Sequence, residues 1–194
     1  MQAGKPAVFC RFAGCNLWTG LEADRTRAVC QFCDTDFVGT DGQGGGKFAT
    51  ADLLAAEILK HWQGGEENRL CVLTGGEPLL QLDGELAAAL HTLNFTIAVE
   101  TNGTQERPEG IDWLCMSPKS GTELAIKAGD ELKLVYPQKG AEPEKFTSLD
   151  FKNFLLQPMD GPDVMANTRA AIEYCMKNPR WRLSAQTHKM LGLR

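Results

Sequence analysis

Three cysteines near the start of the chain have a spacing suited to metal chemistry. Cys30 and Cys33 form a C-x2-C pair, and Cys15 precedes that pair by a 14-residue gap. A tight C-x2-C turn lets two thiolates bind one metal ion or one iron–sulfur cluster. Seven cysteines are an odd number and the N-terminus has no apolar stretch of secretory length, so a disulfide framework is not favoured. We therefore expect a cytoplasmic chain with reduced cysteines that bind metal or are buried.

The kind of metal site depends on a fourth ligand, because structural zinc uses four, mostly cysteine and histidine. The candidates are weak: two histidines fall in predicted helices, one is far along the chain, and two nearby aspartates are uncommon at such sites. They are His61, His91, His188, Asp34 and Asp36. Three thiolates without a fourth suit a [4Fe–4S] cluster whose open iron binds a small molecule, and a zinc-binding module stays the alternative. The other cysteines, expected in the core, are Cys10, Cys71, Cys115 and Cys175.

A second motif is the stretch TGGEP at residues 74–78, which follows an apolar run. Two glycines allow the backbone to approach a ligand closely, and exposed amides and carbonyls there supply directional hydrogen bonds. An ordinary strand-to-helix turn has a similar composition. Its position after the C-x2-C pair favours the ligand-binding interpretation.

The composition sets limits on the class of protein. The 194 residues are enough for one domain with a hydrophobic core, and we expect a single domain over residues 1–194. A net charge of −5 gives no general attraction to nucleic acid. No run of about 18 apolar residues is present, so we expect no membrane span.

Short apolar runs alternate with helical patterns, which predicts an α/β fold with a mainly parallel sheet, open or curled into a barrel. Thr50 and Asp83 stand at the N-cap positions of two predicted helices, and residues 40–47 predict an irregular loop. The predicted strands are Pro6–Phe12, Leu70–Thr74, Phe95–Glu100, Asp112–Met116, Glu131–Val135, Asn153–Leu156 and Trp181–Ala185. The predicted helices are Thr50–Trp62, Asp83–Leu93 and Asp163–Lys177.

Polar side chains recur where the predicted strands end. Arg11 closes the first strand, Thr74 the second and Glu100 the third, and Gln157 follows the sixth. Parallel strands end at the same edge of a sheet, which is where α/β folds place their active sites. We therefore expect an active site at the C-terminal strand ends.

Several motifs taken together resemble one family. The chain combines the C-x14-C-x2-C spacing with CDTD at 33–36, TGGEP at 74–78, ETNG at 100–103, SPK at 117–119, QPMDG at 157–161 and QTHK at 186–189. It resembles, from about Gly4 onward, the 7-carboxy-7-deazaguanine synthase family of the radical S-adenosylmethionine superfamily. The resemblance implies an incomplete parallel β/α barrel. It also implies a lyase of queuosine biosynthesis that converts 6-carboxy-5,6,7,8-tetrahydropterin to 7-carboxy-7-deazaguanine with loss of ammonia. A radical enzyme with another substrate, such as a small glycyl-radical activase, is the alternative, against which the wide cysteine gap argues.

The resemblance assigns roles residue by residue. The pterin would lie against Arg11, Thr74, His188 and the terminal carboxylate of Arg194, since an arginine fork suits a planar carboxylate. Thr35 would bind Mg²⁺, an ion that keeps most of its waters. The cluster would be held by Cys15, Cys30 and Cys33. S-adenosylmethionine would be bordered by Phe32, Cys33, Asp34, Gly76, Glu100, Ser117, Pro118, Lys119, Gln157, Pro158, Met159 and Asp160.

The same resemblance implies partners and one difference. The chemistry needs an external one-electron reductant of flavodoxin or ferredoxin type, and a homodimer is implied. The family begins further upstream, with a strand and a segment like L-Q-G-E-G, and neither is found in MQAGKP. We therefore expect the start to be truncated, and an upstream-extended version to bind the pterin more tightly.

Overall fold

The computed structural model describes residue 2 and residues 4–192, and its core is a seven-stranded sheet in which every strand is parallel to its neighbours. The strands follow each other across the sheet in chain order, and β1 and β7 form its two edges. This open parallel sheet confirms the predicted incomplete barrel. The strands are β1 (Val8–Phe12), β2 (Arg69–Gly75), β3 (Phe95–Thr101), β4 (Trp113–Met116), β5 (Ala128–Tyr136), β6 (Asp150–Pro158) and β7 (Trp181–Leu183).

The three predicted helices are confirmed. Thr50 and Asp83 cap the first two, because each side chain accepts a hydrogen bond from a backbone amide of the first turn. The helices are α1 (Ala51–Lys60), α2 (Gly84–Thr92), α3 (Val164–Lys177) and a short α4 (Thr187–Met190) that was not predicted. Three 3₁₀ turns cover Glu22–Arg27, Pro78–Leu80 and Pro143–Phe146. In the described part of the chain, no helix is long and apolar enough to cross a bilayer.

The two faces of the sheet differ because side chains alternate along each strand. One face packs under the helices and includes the fully buried Leu73, Val99 and Leu132. In the next positions along the same strands, the opposite face carries Thr74, Glu100 and Lys133. This face is therefore polar toward the C-terminal ends of its strands, as the sequence predicts.

The predicted strand starting at Asp112 begins one residue later. The Asp112 carboxylate accepts a hydrogen bond from the Ile97 amide at 2.7 Å and contacts His91 at 3.0 Å. The side chain thus accepts the hydrogen bond that a strand carbonyl would otherwise accept, while the Asp112 amide still donates to the Ile97 carbonyl at 3.1 Å. The predicted core cysteines are largely confirmed: Cys71 and Cys115 are buried, and Cys10 and Cys175 are half-buried against the core.

Candidate active site

The three predicted ligand cysteines lie in the long irregular segment after β1. Cys30 is buried, and Cys15 and Cys33 are half-buried. The Leu17 amide donates to the Cys15 sulfur at 3.4 Å, and a hydrogen bond joins the Cys30 and Cys33 thiols. The structure therefore brings together the C-x2-C pair and holds Cys15 within electrostatic reach of it.

The thiols differ in acidity. The hydrogen bond from Cys30 lowers the pKa of Cys33 to about 6, and the same bond raises the pKa of Cys30. Burial raises the pKa of Cys15, and burial alone raises that of Cys10 to about 11. Since a thiolate is the form that binds metal, Cys33 is the thiol of the pair that most readily becomes a ligand, whereas the core cysteine Cys10 stays protonated.

The three cysteines do not form a ready-made site for a single metal ion, and their role as cluster ligands stays a prediction. Within residue 2 and residues 4–192, no group of three or more histidine, cysteine, aspartate or glutamate side chains could hold a metal ion. A four-iron cluster places its thiolates on different iron atoms, so it needs a wider spread of sulfurs than one ion does. Three thiols with no fourth ligand are the arrangement predicted for a cluster with one open iron.

The GGE turn after β2 supports the first cysteine. The Gly76 amide donates to the Phe12 carbonyl at 3.0 Å and the Glu77 amide to the Gly14 carbonyl at 2.9 Å. A Cβ on Gly76 would lie 1.9 Å from the Gly14 oxygen and 3.0 Å from the Cys15 Cβ. The glycine is thus required by the backbone that leads into Cys15. Contact between Gly76 and a cofactor stays a prediction.

Glu77 connects this turn to the end of β3, a role that the sequence did not indicate. Its fully buried carboxylate accepts from the Leu79 amide at 3.0 Å, the Thr101 hydroxyl at 2.7 Å and the Asn102 amide at 2.7 Å. Burial raises the pKa of Glu77, while the Asn102 and Thr101 hydrogen bonds act in the opposite direction. The Asn102 side chain in turn donates to the Asn16 oxygen at 3.0 Å, beside the first cysteine.

The SPK motif places a cation near the thiols. Lys119 donates to the Ser117 carbonyl at 2.6 Å and to its hydroxyl at 2.8 Å. Burial lowers the pKa of Lys119, and the nearby Cys30 and Cys33 act to raise it. Its positive charge therefore lies where thiolates or a bound anionic cluster would benefit from it.

Glu100 on β3 pairs with Lys133 on β5 at 2.6 Å, and this lysine lowers the pKa of Glu100. Sequence reasoning missed Lys133, although a lysine within the apolar run ELKLV was a usable signal. Arg11 and Thr74 are register partners on β1 and β2, Arg11 exposed and Thr74 buried. These four side chains give the face opposite the helices its charged and polar character.

The C-terminal helix α4 is attached to two loops of the site. Lys189 donates to Asp34 at 2.5 Å and also to Asp160, and Gln186 donates to Asp34 at 3.1 Å. These bonds lower the pKa of Asp34 although burial opposes the shift, and Lys189 lowers that of Asp160. His188 is exposed on α4.

The remaining predicted residues differ in their burial. Arg194 lies outside the described residues. Half-buried positions are Phe32, Thr35, Gln157 and Met159, and Pro118 and Pro158 are buried.

An open parallel sheet with three cysteines and a GGE turn at its C-terminal edge defines a radical S-adenosylmethionine enzyme. The chain resembles the crystal structure of QueE from Escherichia coli, with a TM-score of 0.68 and 26% identity over 94% of this chain and 86% of that one. It is 63% identical to the 7-carboxy-7-deazaguanine synthase of Caulobacter vibrioides, over 99% of this chain and 91% of the relative. It is 61% identical to the 7-carboxy-7-deazaguanine synthase of Bradyrhizobium diazoefficiens, over 100% of this chain and 92% of the relative. No family model matches. The chain belongs to the 7-carboxy-7-deazaguanine synthase family.

Proposed function

We propose that this chain converts 6-carboxy-5,6,7,8-tetrahydropterin to 7-carboxy-7-deazaguanine with loss of ammonia. The observation that carries the proposal is the 63% identity to a synthase of that name over 99% of this chain, and the GGE turn that bonds to the backbone just before Cys15 supports it. A bound cluster with S-adenosylmethionine supplies one-electron reduction and a radical that abstracts hydrogen from the pterin. The protein's contribution is then to hold and orient the reactants.

The chain's residues have positioning roles in this proposal. Cys15, Cys30 and Cys33 hold the cluster, and the charge of Lys119 offsets part of their negative charge. The Arg11 fork suits the pterin carboxylate, to which Thr74 adds a hydroxyl on the neighbouring strand. The S-adenosylmethionine would lie among the loops that follow β4 and β6 and the segment around Asp34.

Further elements of the proposal concern the ion and the partners. The half-buried Thr35 follows Cys33 by two residues, and its hydroxyl would be a ligand of Mg²⁺. The ion would take its other ligands from water and substrate. His188 and Arg194 would reach the pterin from the C-terminal segment. An external flavodoxin-like or ferredoxin-like protein would supply the electron, and the enzyme would act as a homodimer. Seven free cysteines are in keeping with a cytoplasmic location.

The test is anaerobic reconstitution of the full chain with iron and sulfide, followed by reductant, S-adenosylmethionine, Mg²⁺ and the carboxypterin. We expect a brown protein with about four irons per chain and a product with the mass of 7-carboxy-7-deazaguanine. Cys33→Ala should remove both cluster and product. Cys175→Ala is the matched control, because this half-buried thiol lies on α3 away from the site.

Different failures have different meanings. A colourless chain that binds one zinc ion would reject the radical mechanism altogether. A brown chain that cleaves S-adenosylmethionine but leaves the pterin unchanged would keep the class of enzyme and reject the substrate. Omission of Mg²⁺, and Thr35→Val in a separate sample, test the ion: activity that depends on neither contradicts the Mg²⁺ assignment.

A further inference from the structure

The 14 residues between Cys15 and Cys30 contain a side chain that binds the C-x2-C turn directly. Arg25 Nη1 donates to the Gln31 carbonyl at 2.9 Å and to the Cys33 carbonyl at 3.0 Å. These two carbonyls belong to the turn that carries the thiols of Cys30 and Cys33. The described chain from residue 28 to 50 has no helix or strand, so this turn depends on such contacts for its shape.

Arg25 is itself fixed on three sides. Its Nε donates to Glu22 Oε2 at 2.7 Å and its Nη2 to the other oxygen of that carboxylate, so the pair is bidentate. Its guanidinium lies 4.0 Å from the ring centroid of the buried Trp18. The guanidinium therefore has little freedom to leave the two carbonyls.

Trp18 in turn ties the support to the far side of the cysteine loop. Its indole nitrogen donates to Asp24 Oδ1 at 3.1 Å, and its ring meets Phe37 edge-on with centroids 5.7 Å apart. The Val29 amide also donates to the Leu17 carbonyl at 3.0 Å. The two ends of the segment are thus joined at Leu17, next to the tryptophan on which Arg25 stacks.

We propose that Arg25 is a positioning residue for the cluster: it clamps the C-x2-C turn and places a permanent positive charge beside its thiolates. Only arginine has the planar fork that can serve one carboxylate and two carbonyls at once, whereas lysine offers a single charged nitrogen. The 14 residues between Cys15 and Cys30 thereby have a structural role, since they place Arg25 and the Trp18 ring on which it stacks against the C-x2-C turn. The proposal rests on the proposed function only in taking the three cysteines as cluster ligands.

The test compares Arg25→Lys, which keeps the charge and loses the fork, with Arg27→Lys as a matched control. Arg27 is exposed in the same 3₁₀ turn. In reconstituted full-length chains challenged with EDTA, we expect iron to be released about 10-fold faster from Arg25→Lys than from wild type. Arg27→Lys should release iron at the wild-type rate. Equal rates in Arg25→Lys and wild type, or equal acceleration in the control, would overturn the clamp.

Two further measurements do not depend on activity. Hydrogen exchange of the metal-free chain should show faster exchange of residues 28–38 in Arg25→Lys, and unchanged exchange there would contradict the clamp. Arg25→Gln should shift the cluster's reduction potential to a more negative value than Arg27→Gln, because a positive charge favours the reduced form. Equal potentials would overturn the electrostatic part. A wild-type chain that takes up no iron would reject the proposed function, while the exchange experiment would still decide on the clamp.

Discussion

Replacement of Glu77 by glutamine tests whether the buried carboxylate organises the site. The carboxylate accepts three hydrogen bonds, two on Oε1 from Leu79 and Thr101 and one on Oε2 from the Asn102 amide. Glutamine has the same shape but only one accepting oxygen. If that oxygen faces Leu79 and Thr101, the amide nitrogen of the new side chain faces the Asn102 N–H, and two donors oppose each other.

The magnitude follows from this arrangement. A buried donor without an acceptor costs about 1–3 kcal/mol, and the two remaining bonds lose the strengthening given by a charged acceptor. The reversed orientation of the amide loses two bonds, so it costs more and is not adopted. We therefore expect Glu77→Gln to reduce the free energy of unfolding by about 3 kcal/mol. Because Asn102 also holds Asn16 beside Cys15, iron uptake should fall as well.

The assay is anaerobic urea unfolding of the metal-free chain at pH 7, with Glu109→Gln as the control. Glu109 is exposed, so its replacement should change stability by less than about 0.5 kcal/mol. A double-mutant cycle with Thr101→Val should reveal coupling, since both changes affect the same 2.7 Å bond. A Glu77→Gln chain as stable as the control variant would refute this reasoning.

Three other substitutions have expected outcomes. Gly76→Ala should destabilise the chain by at least about 3 kcal/mol in urea unfolding, because its Cβ would lie 1.9 Å from a backbone oxygen, whereas Gly84→Ala, with open space around it, should be neutral or slightly stabilising. Lys133→Met should cost about 1–2 kcal/mol at pH 7 by leaving Glu100 without its ion-pair partner. Because Lys133 lowers the pKa of Glu100, the ion pair stabilises the fold above the usual pKa of glutamate, and this stabilisation is lost as the pH falls through the lowered pKa. The difference in free energy of unfolding between Lys133→Met and wild type should therefore shrink below about pH 4. Lys189→Met should change global stability by less than about 1 kcal/mol, since its ion pairs are partly exposed, but should speed limited proteolysis of residues 186–192.

Each of these has a clear contrary result. Equal stability of Gly76→Ala and Gly84→Ala would mean that the turn is free to move away from the backbone before Cys15. A Lys133→Met effect that is as large below about pH 4 as at pH 7 would remove Glu100 from the explanation. Unchanged proteolysis in Lys189→Met would mean that α4 is held by other contacts.

The strands and helices could be predicted because their signals are local. Continuous apolar runs indicate buried parallel strands, and Thr50 and Asp83 mark helix starts whatever the rest of the chain does. The pairings that assemble the site are not local. Lys189 and Asp34 are 155 residues apart in the chain, and Asn16 and Asn102 are 86 apart. No periodicity or spacing encodes such contacts.

The glycines of the GGE motif have a structural role that the sequence did not indicate. The sequence suggested close approach of the backbone to a ligand. In the structure, Gly75 and Gly76 are first required by the Phe12 and Gly14 backbone. A motif can therefore be specific to a family because of internal packing that supports a ligand loop, in addition to any contact with the ligand.

The strand order has a consequence for how the site is assembled during synthesis. Because each strand pairs with its chain neighbours, the sheet can grow one strand at a time as the polypeptide emerges, without waiting for distant partners. The cysteine segment and its support by the GGE turn need only the first three strands. Lys189, which fastens Asp34 and Asp160, comes after the seventh. The contacts between the GGE turn and the backbone before Cys15 can thus form first, and the attachment of α4 to Asp34 and Asp160 forms last.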